Sequence, residues 1–124
     1  HISVDCDGKV DELILPWRDA GVDVMFPIEI GDWADPVELR ERFGKELRKM
    51  GSVDKRKLAQ GRGAIDEMID HLTPLVEQGG YIPTPDHRVP PDVKLEDYIY
   101  YLQRIKKLWG RGLDDIRPTG QPVR

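Results

Sequence analysis

The chain has a single cysteine, Cys6, which excludes an internal disulfide and fits a reducing compartment. It also lacks long hydrophobic runs. No stretch approaches the roughly 20 apolar residues of a membrane span, and no charged start followed by an apolar run resembles a secretory signal. These absences point to a cytoplasmic location and away from a membrane. Basic excess is missing too: the formal net charge is −4, and the cations at Arg40, Arg42, Lys45, Arg48 and Lys49 interleave with acids as solvated helix faces do. Nothing in that pattern calls for nucleic acid. Glycine-rich phosphate loops, paired Cys-x-x-Cys motifs and Ser-His-Asp spacings are likewise absent.

What is present describes one globular domain: 124 residues, of which 39% are hydrophobic and 34% charged, enough for a real core and too short for a large barrel. The first residue is His1, and Ile2-Ser3-Val4 already reads as a strand with no lead-in. The expectation from this start is a piece of a larger protein.

Strand and helix patterns alternate four times. After Ile2-Ser3-Val4 and a turn at Asp5-Cys6-Asp7-Gly8, the positions Val10, Leu13, Ile14 and Trp17 follow amphipathic helical spacing up to Gly21. Val22 to Ile30 reads as a second strand. Asp35-Pro36 then opens a helix, with an acid at the cap and proline at the first position, that ends near Gly44. A third strand spans about Leu47 to Val53. The helical stretch after Asp54 carries Ile65, Met68, Ile69, Leu72 and Val76 on one face and closes at Gly79-Gly80. Tyr81-Ile82-Pro83 is the fourth strand, and a last helix places Leu95, Tyr98, Ile99, Leu102 and Ile105 on a single face. This order predicts an α/β fold of about four βα units with parallel strands over residues 1–109, followed by a flexible tail over 110–124.

Each predicted strand ends in titratable groups: Asp5, Cys6 and Asp7, then Glu29, then Asp54, then Asp86 and His87. Ligand sites of parallel α/β folds lie at the carboxyl ends of the strands, so these groups are expected to share one rim. Four prolines fence the segment around Asp86-His87, at Pro83, Pro85, Pro90 and Pro91, which leaves its side chains few places to go. His87 is the leading functional residue because an imidazole donates or accepts a proton near neutral pH, binds a carboxylate or ligates a metal. Asp86 either orients that imidazole or closes the strand as a turn residue. Asp5 and Asp7 bind substrate or metal, or form the turn that Gly8 invites. Glu29 and Asp54 complete the rim. His71 reads as partly exposed packing, and Cys6, between two rim positions, is expected to face away from them.

The ordered set Asp5-Cys6-Asp7-Gly8, Gly21-Val22-Asp23 leading to Pro27-Ile28-Glu29, Asp35-Pro36-Val37-Glu38-Leu39, Gly51-Ser52-Val53-Asp54-Lys55-Arg56 and Gly79-Gly80-Tyr81-Ile82-Pro83 through Asp86-His87-Arg88-Val89-Pro90-Pro91 resembles the uroporphyrinogen decarboxylase family. The likeness covers nearly everything from Ile2 to about Trp109. It implies a TIM (β/α)8 barrel, of which this chain supplies the C-terminal half, and places His87 at the family's active-site histidine. The implied reaction is decarboxylation of tetrapyrrole acetate side chains in porphyrin biosynthesis, with no metal or cofactor. The family's arginines and key aspartate lie in the other half, so the chain is expected to be inactive alone.

A second branch of that superfamily transfers methyl groups between corrinoid proteins and thiols at a zinc site. Alignment by the following glycine sets its His-x-Cys pair on Asp5 and Asp7 and its distant cysteine on or beside His87. Both thiolates are thus replaced, leaving Asp5, Asp7 and His87 as an oxygen and nitrogen set for zinc or a harder metal. The expected partners are a small-molecule substrate and either the missing N-terminal half or a second copy in a homodimer. A structural half-barrel without activity is the reading from another class.

Overall fold

The computed structural model describes residues 1–110; of the expected tail, residues 111–124 lie outside the described residues. The elements run β1 (Ser3–Asp5), α1 (Asp11–Asp19), β2 (Val24–Ile28), α2 (Pro36–Phe43), β3 (Arg48–Val53), α3 (Lys55–Ala59), α4 (Arg62–Gln78), β4 (Tyr81–Pro85) and α5 (Leu95–Trp109). Their starts follow local chemistry. The Asp35 carboxylate accepts hydrogen bonds from the Val37 and Glu38 amides at 2.7 and 3.3 Å, satisfying two donors at the head of α2 that no helical carbonyl reaches. Asp54 does the same for the Arg56 amide at 2.8 Å. The helical stretch expected as one piece after Asp54 is two helices, because Gly61, at φ 91°, turns the chain between them.

The four strands form one sheet in the order β1-β2-β3-β4, and every pairing is parallel. Each crossover carries a helix, and right-handed crossovers that always advance in one direction set all the helices on one face of the sheet. The register shows how the residues divide between the faces. Val4, Met25, Lys49 and Tyr81 stand side by side in one row, and Met25, Lys49 and Tyr81 are buried. One position on, Asp5 pairs with Phe26 and Met50 with Ile82 on the opposite face, where Ile82 remains 55% exposed.

The covered face holds two cores. One gathers Val53, Leu58, Ile65, Ile69, Leu72 and Tyr101 under α4 and α5; the other gathers Val10, Ile14, Met25, Ile28, Leu39 and Leu47 under α1 and α2. Each fully buried aliphatic side chain there contributes about 1.5 to 3 kcal/mol. The α4–α5 contact is fixed at the surface by Asp66, which accepts hydrogen bonds from Tyr100 at 2.7 Å and Arg104 at 2.7 Å.

Two local features shape the middle of the sheet. Pro27 has no amide to donate, and the β2–β3 register shifts between Met25 and Ile28. Gly51 faces that irregularity at φ 115°, and a side chain there would meet the Ile28 amide nitrogen at 2.9 Å, so only glycine fits.

The last helix departs from its expected face. Leu95, Ile99 and Leu102 are exposed, while Asp97 and Tyr101 are buried and Tyr98, Ile105 and Trp109 pack on the core. A helix with apolar residues around more than half its circumference has no unique inward stripe, and the large Tyr101 ring determines the rotation. Among the described residues no helix is long and apolar enough to cross a membrane.

Candidate functional site

In a parallel sheet of sequential order, all four carboxyl ends lie along one edge, so Asp5, Glu29, Asp54 and Asp86 follow the same rim as expected. They do not all face the same space. A groove of about 540 Å³ opens on the uncovered face of the sheet. Phe26, Met50 and Thr84 line it from the strands, and Asp5, Asp7, His87 and Arg88 line it at the rim. The edge strands β1 and β4 are three strand spacings apart, about 14 Å. Yet His87 Nε2 lies 3.9 Å from Asp7 Oδ2. The loops after the two edge strands therefore bend inward and meet across the groove, bringing an acid and an imidazole over an apolar floor.

Behind this pair runs a polar chain that touches all four strand ends. The Gly8 amide, just past β1, donates to Glu29 Oε2 at 2.9 Å. The other Glu29 oxygen accepts from Lys55 Nζ at 2.8 Å, and Lys55 Nζ lies 3.7 Å from Asp86 Oδ2. Asp86 is fully buried and accepts from the Ile30 amide at 2.8 Å and the Lys55 amide at 3.0 Å. Its hydrogen bonds thus go to the ends of β2 and β3 rather than to His87. One carboxylate ties three strand ends together and sets the backbone from which His87 projects.

The electrostatics follow from these contacts. The Lys55 hydrogen bond, then that of Gly8, holds the Glu29 carboxyl below its ordinary value. Burial pulls down the Lys55 pKa, but the Glu29 hydrogen bond and the Asp86 charge outweigh it and leave it raised. Burial pushes the Asp86 carboxyl up against the two backbone donors that favour its charged form.

Asp54 belongs elsewhere. It caps α3 and holds the Arg56 guanidinium through two contacts of 3.0 Å, beside a second cavity on the helix side of the sheet. Cys6 packs against the core under α1, and Asp5 and Asp7 on either side of it line the groove. His71 pairs with Asp35 at 2.9 Å. Sequence reasoning missed Lys55 and Arg88. Lys55 follows directly on a rim acid at a helix start, which is a signal for the rim. Arg88 adjoins His87 between the prolines.

The metal fit is poor. Asp5, Asp7 and His87 share the groove, but among the described residues no three His, Cys, Asp or Glu side chains converge as a metal site requires.

Compared with models of known families, with curated proteins and with solved structures, the chain matches none.

Proposed function

We propose that this chain is the C-terminal half of a TIM (β/α)8 barrel resembling uroporphyrinogen decarboxylase, and that the groove is its share of a tetrapyrrole site. The observation that carries the reading is the meeting of Asp7 and His87 over Phe26 and Met50 at the carboxyl edge of a sheet covered on one face. A flat macrocycle with an apolar body and a carboxylate periphery suits such a floor and rim. Arg88 and His87 face the carboxylates, and Asp5 or Asp7 faces the pyrrole N–H groups.

The chemistry needs no metal. Protonation of the pyrrole ring makes it an electron sink; the C–CO2 bond of the acetate breaks, its electron pair enters the ring and CO2 leaves. A proton then adds to the side-chain carbon to give methyl, and the ring returns its proton. In this scheme His87 delivers or stabilises protons at the acetate carbon, and the carboxylates stabilise the protonated ring.

Completion of the site needs four more βα units. A parallel sheet bare on one face is unusual, because such sheets are ordinarily covered on both. Among the described residues both edge strands have unpaired hydrogen-bonding groups, and the outermost helices expose Leu13 and Leu15 on α1 and Leu95, Ile99 and Leu102 on α5. Barrel closure fills all three vacancies together. A complementary N-terminal half does this, and so does a second copy related by a two-fold along the strands, which sets β4 of one copy parallel to β1 of the other.

The test is a titration with uroporphyrin, the stable oxidised relative of the substrate, followed by its fluorescence. Saturable binding that His87→Ala and Arg88→Ala each weaken supports the reading; binding indifferent to both changes contradicts it. The methyl-transfer alternative predicts stoichiometric zinc uptake and thiol alkylation instead, and failure of all three assays leaves a structural half-barrel.

A further inference from the structure

The Asp7–His87 pair needs more than its own contact to hold two loops together. At 3.9 Å between Nε2 and Oδ2, with both side chains open to water, it is too long for a hydrogen bond and too well solvated to fix a backbone. Each partner is, however, the chain neighbour of a fixed group. Asp7 precedes Gly8, whose amide donates to Glu29 Oε2 at 2.9 Å, and His87 follows Asp86, which is fully buried. Lys55 joins these two anchors. Its ammonium donates to Glu29 Oε1 at 2.8 Å and lies 3.7 Å from Asp86 Oδ2, with 22% of the side chain exposed.

The same ammonium sets the charge balance. Glu29 and Asp86 point at one nitrogen from two strand ends, so without it two carboxylates, one of them dry, face each other. Glu29 then turns to water and releases the Gly8 amide. Asp86 stays, because the Ile30 and Lys55 amides hold it through the backbone whatever side chain stands at position 55. The two loops therefore respond differently: the β1 loop loses its anchor and the β4 loop keeps it. We propose that Lys55 is the positioning residue of the groove, clamping Glu29 beside Asp86 and thereby setting the β1 loop, with Asp7, against His87. This rests on the reading of the groove as the site only in taking Asp7 and His87 as its working pair.

The chain has three histidines, His1, His71 and His87, so their ring signals can be followed one by one in the full chain labelled with 15N at histidine. At fixed pH, Asp7→Asn is expected to shift the His87 ring signals and to leave in place those of His71, which pairs with Asp35 and reports that the fold is intact. In a Lys55→Met background the His87 response is lost, and in Lys55→Arg, which keeps a cation at the same point, it returns. Glu29→Leu removes the Gly8 acceptor while leaving Lys55 to Asp86, so it loses the response without leaving two carboxylates unbalanced. In both Lys55→Met and Glu29→Leu, hydrogen exchange at the Gly8 amide is expected to speed about tenfold while that at Ile30 stays as it is. No response to Asp7→Asn in the unmodified chain, the same response in every background, or equal acceleration at Gly8 and Ile30 overturns the proposal. These readouts need no ligand, so failure to bind uroporphyrin and failure of the clamp are separate results.

Discussion

The two faces of the sheet are built from neighbouring residues of the same strands, yet they live in different solvents. The row of Met25, Lys49 and Tyr81 is buried under helices; on the opposite face Phe26 and Met50 line an open groove and Ile82 is exposed. The covered face holds the fold together, and the open face carries the groups that can do chemistry. Packing and the candidate site are thereby separated by a step of one residue along each strand.

Substitutions on the two faces should differ most sharply in stability. Ile69→Ala, under the sheet in the fully buried core, is expected to cost about 3 kcal/mol through lost burial and a residual cavity. Ile82→Ala, on the open face, is expected to cost less than about 0.5 kcal/mol in the monomer. Chemical denaturation of both variants measures the contrast, and equal costs would remove the distinction between the faces.

The rim strut comes next. Asp86→Ala leaves the Ile30 and Lys55 amides without their acceptor, and a loss of about 2 to 3 kcal/mol is expected. Faster hydrogen exchange at those two amides than elsewhere in β2 and β3 would localise it. If exchange rises evenly across the sheet, Asp86 does not act as the tie between strand ends.

Lys49 places a charge on the dry face, 1% exposed. Burial, aided by the nearby Arg40 charge, lowers its pKa from 10.5 to about 7, while its ammonium donates to the Pro36 carbonyl. In the unfolded chain the lysine stays protonated up to its ordinary value. Between about pH 7 and 10.5 the unfolded state therefore binds more protons, so stability from this group is full above 10.5 and is lost as pH falls through 7. Lys49→Met should stabilise the protein at pH 6 by about 1 to 2 kcal/mol and flatten the rise above pH 7. An unchanged pH profile in urea denaturation would show that Lys49 is not the group responsible.

On the open face the smallest stability effect is expected. His87→Ala should change stability by less than about 0.5 kcal/mol, because the side chain is partly exposed and its contact to Asp7 is 3.9 Å. Its effect belongs in uroporphyrin binding instead. A large stability loss would recast His87 as a structural residue.

The alternation of strands and helices could be read directly, since apolar periodicity and the caps at Asp35 and Asp54 are local signals. The shared rim could be read as well, because sequential parallel strands have no other place to put Asp5, Glu29, Asp54 and Asp86. The side-chain directions around Asp86 and along α5 could not. Asp86 and His87 are adjacent and look like a pair, but strand geometry sends one into the sheet and the other over the groove. Lys55 gains its role only from Glu29 and Asp86, 26 and 31 residues away. The rotation of α5 was hidden for a related reason: Leu95 and Tyr101 are both apolar enough to face inward, and only packing against α4 chooses between them.

On the proposed reading, the open face and both sheet edges are closed by another set of βα units. The most direct measurement is the solution mass of the chain by light scattering coupled to size exclusion, over a range of concentrations. A stable species of twice the 14.2 kDa chain, dissociated by Ile82→Lys on the open face, is expected. A folded monomer at every concentration, unaffected by that substitution, would contradict it.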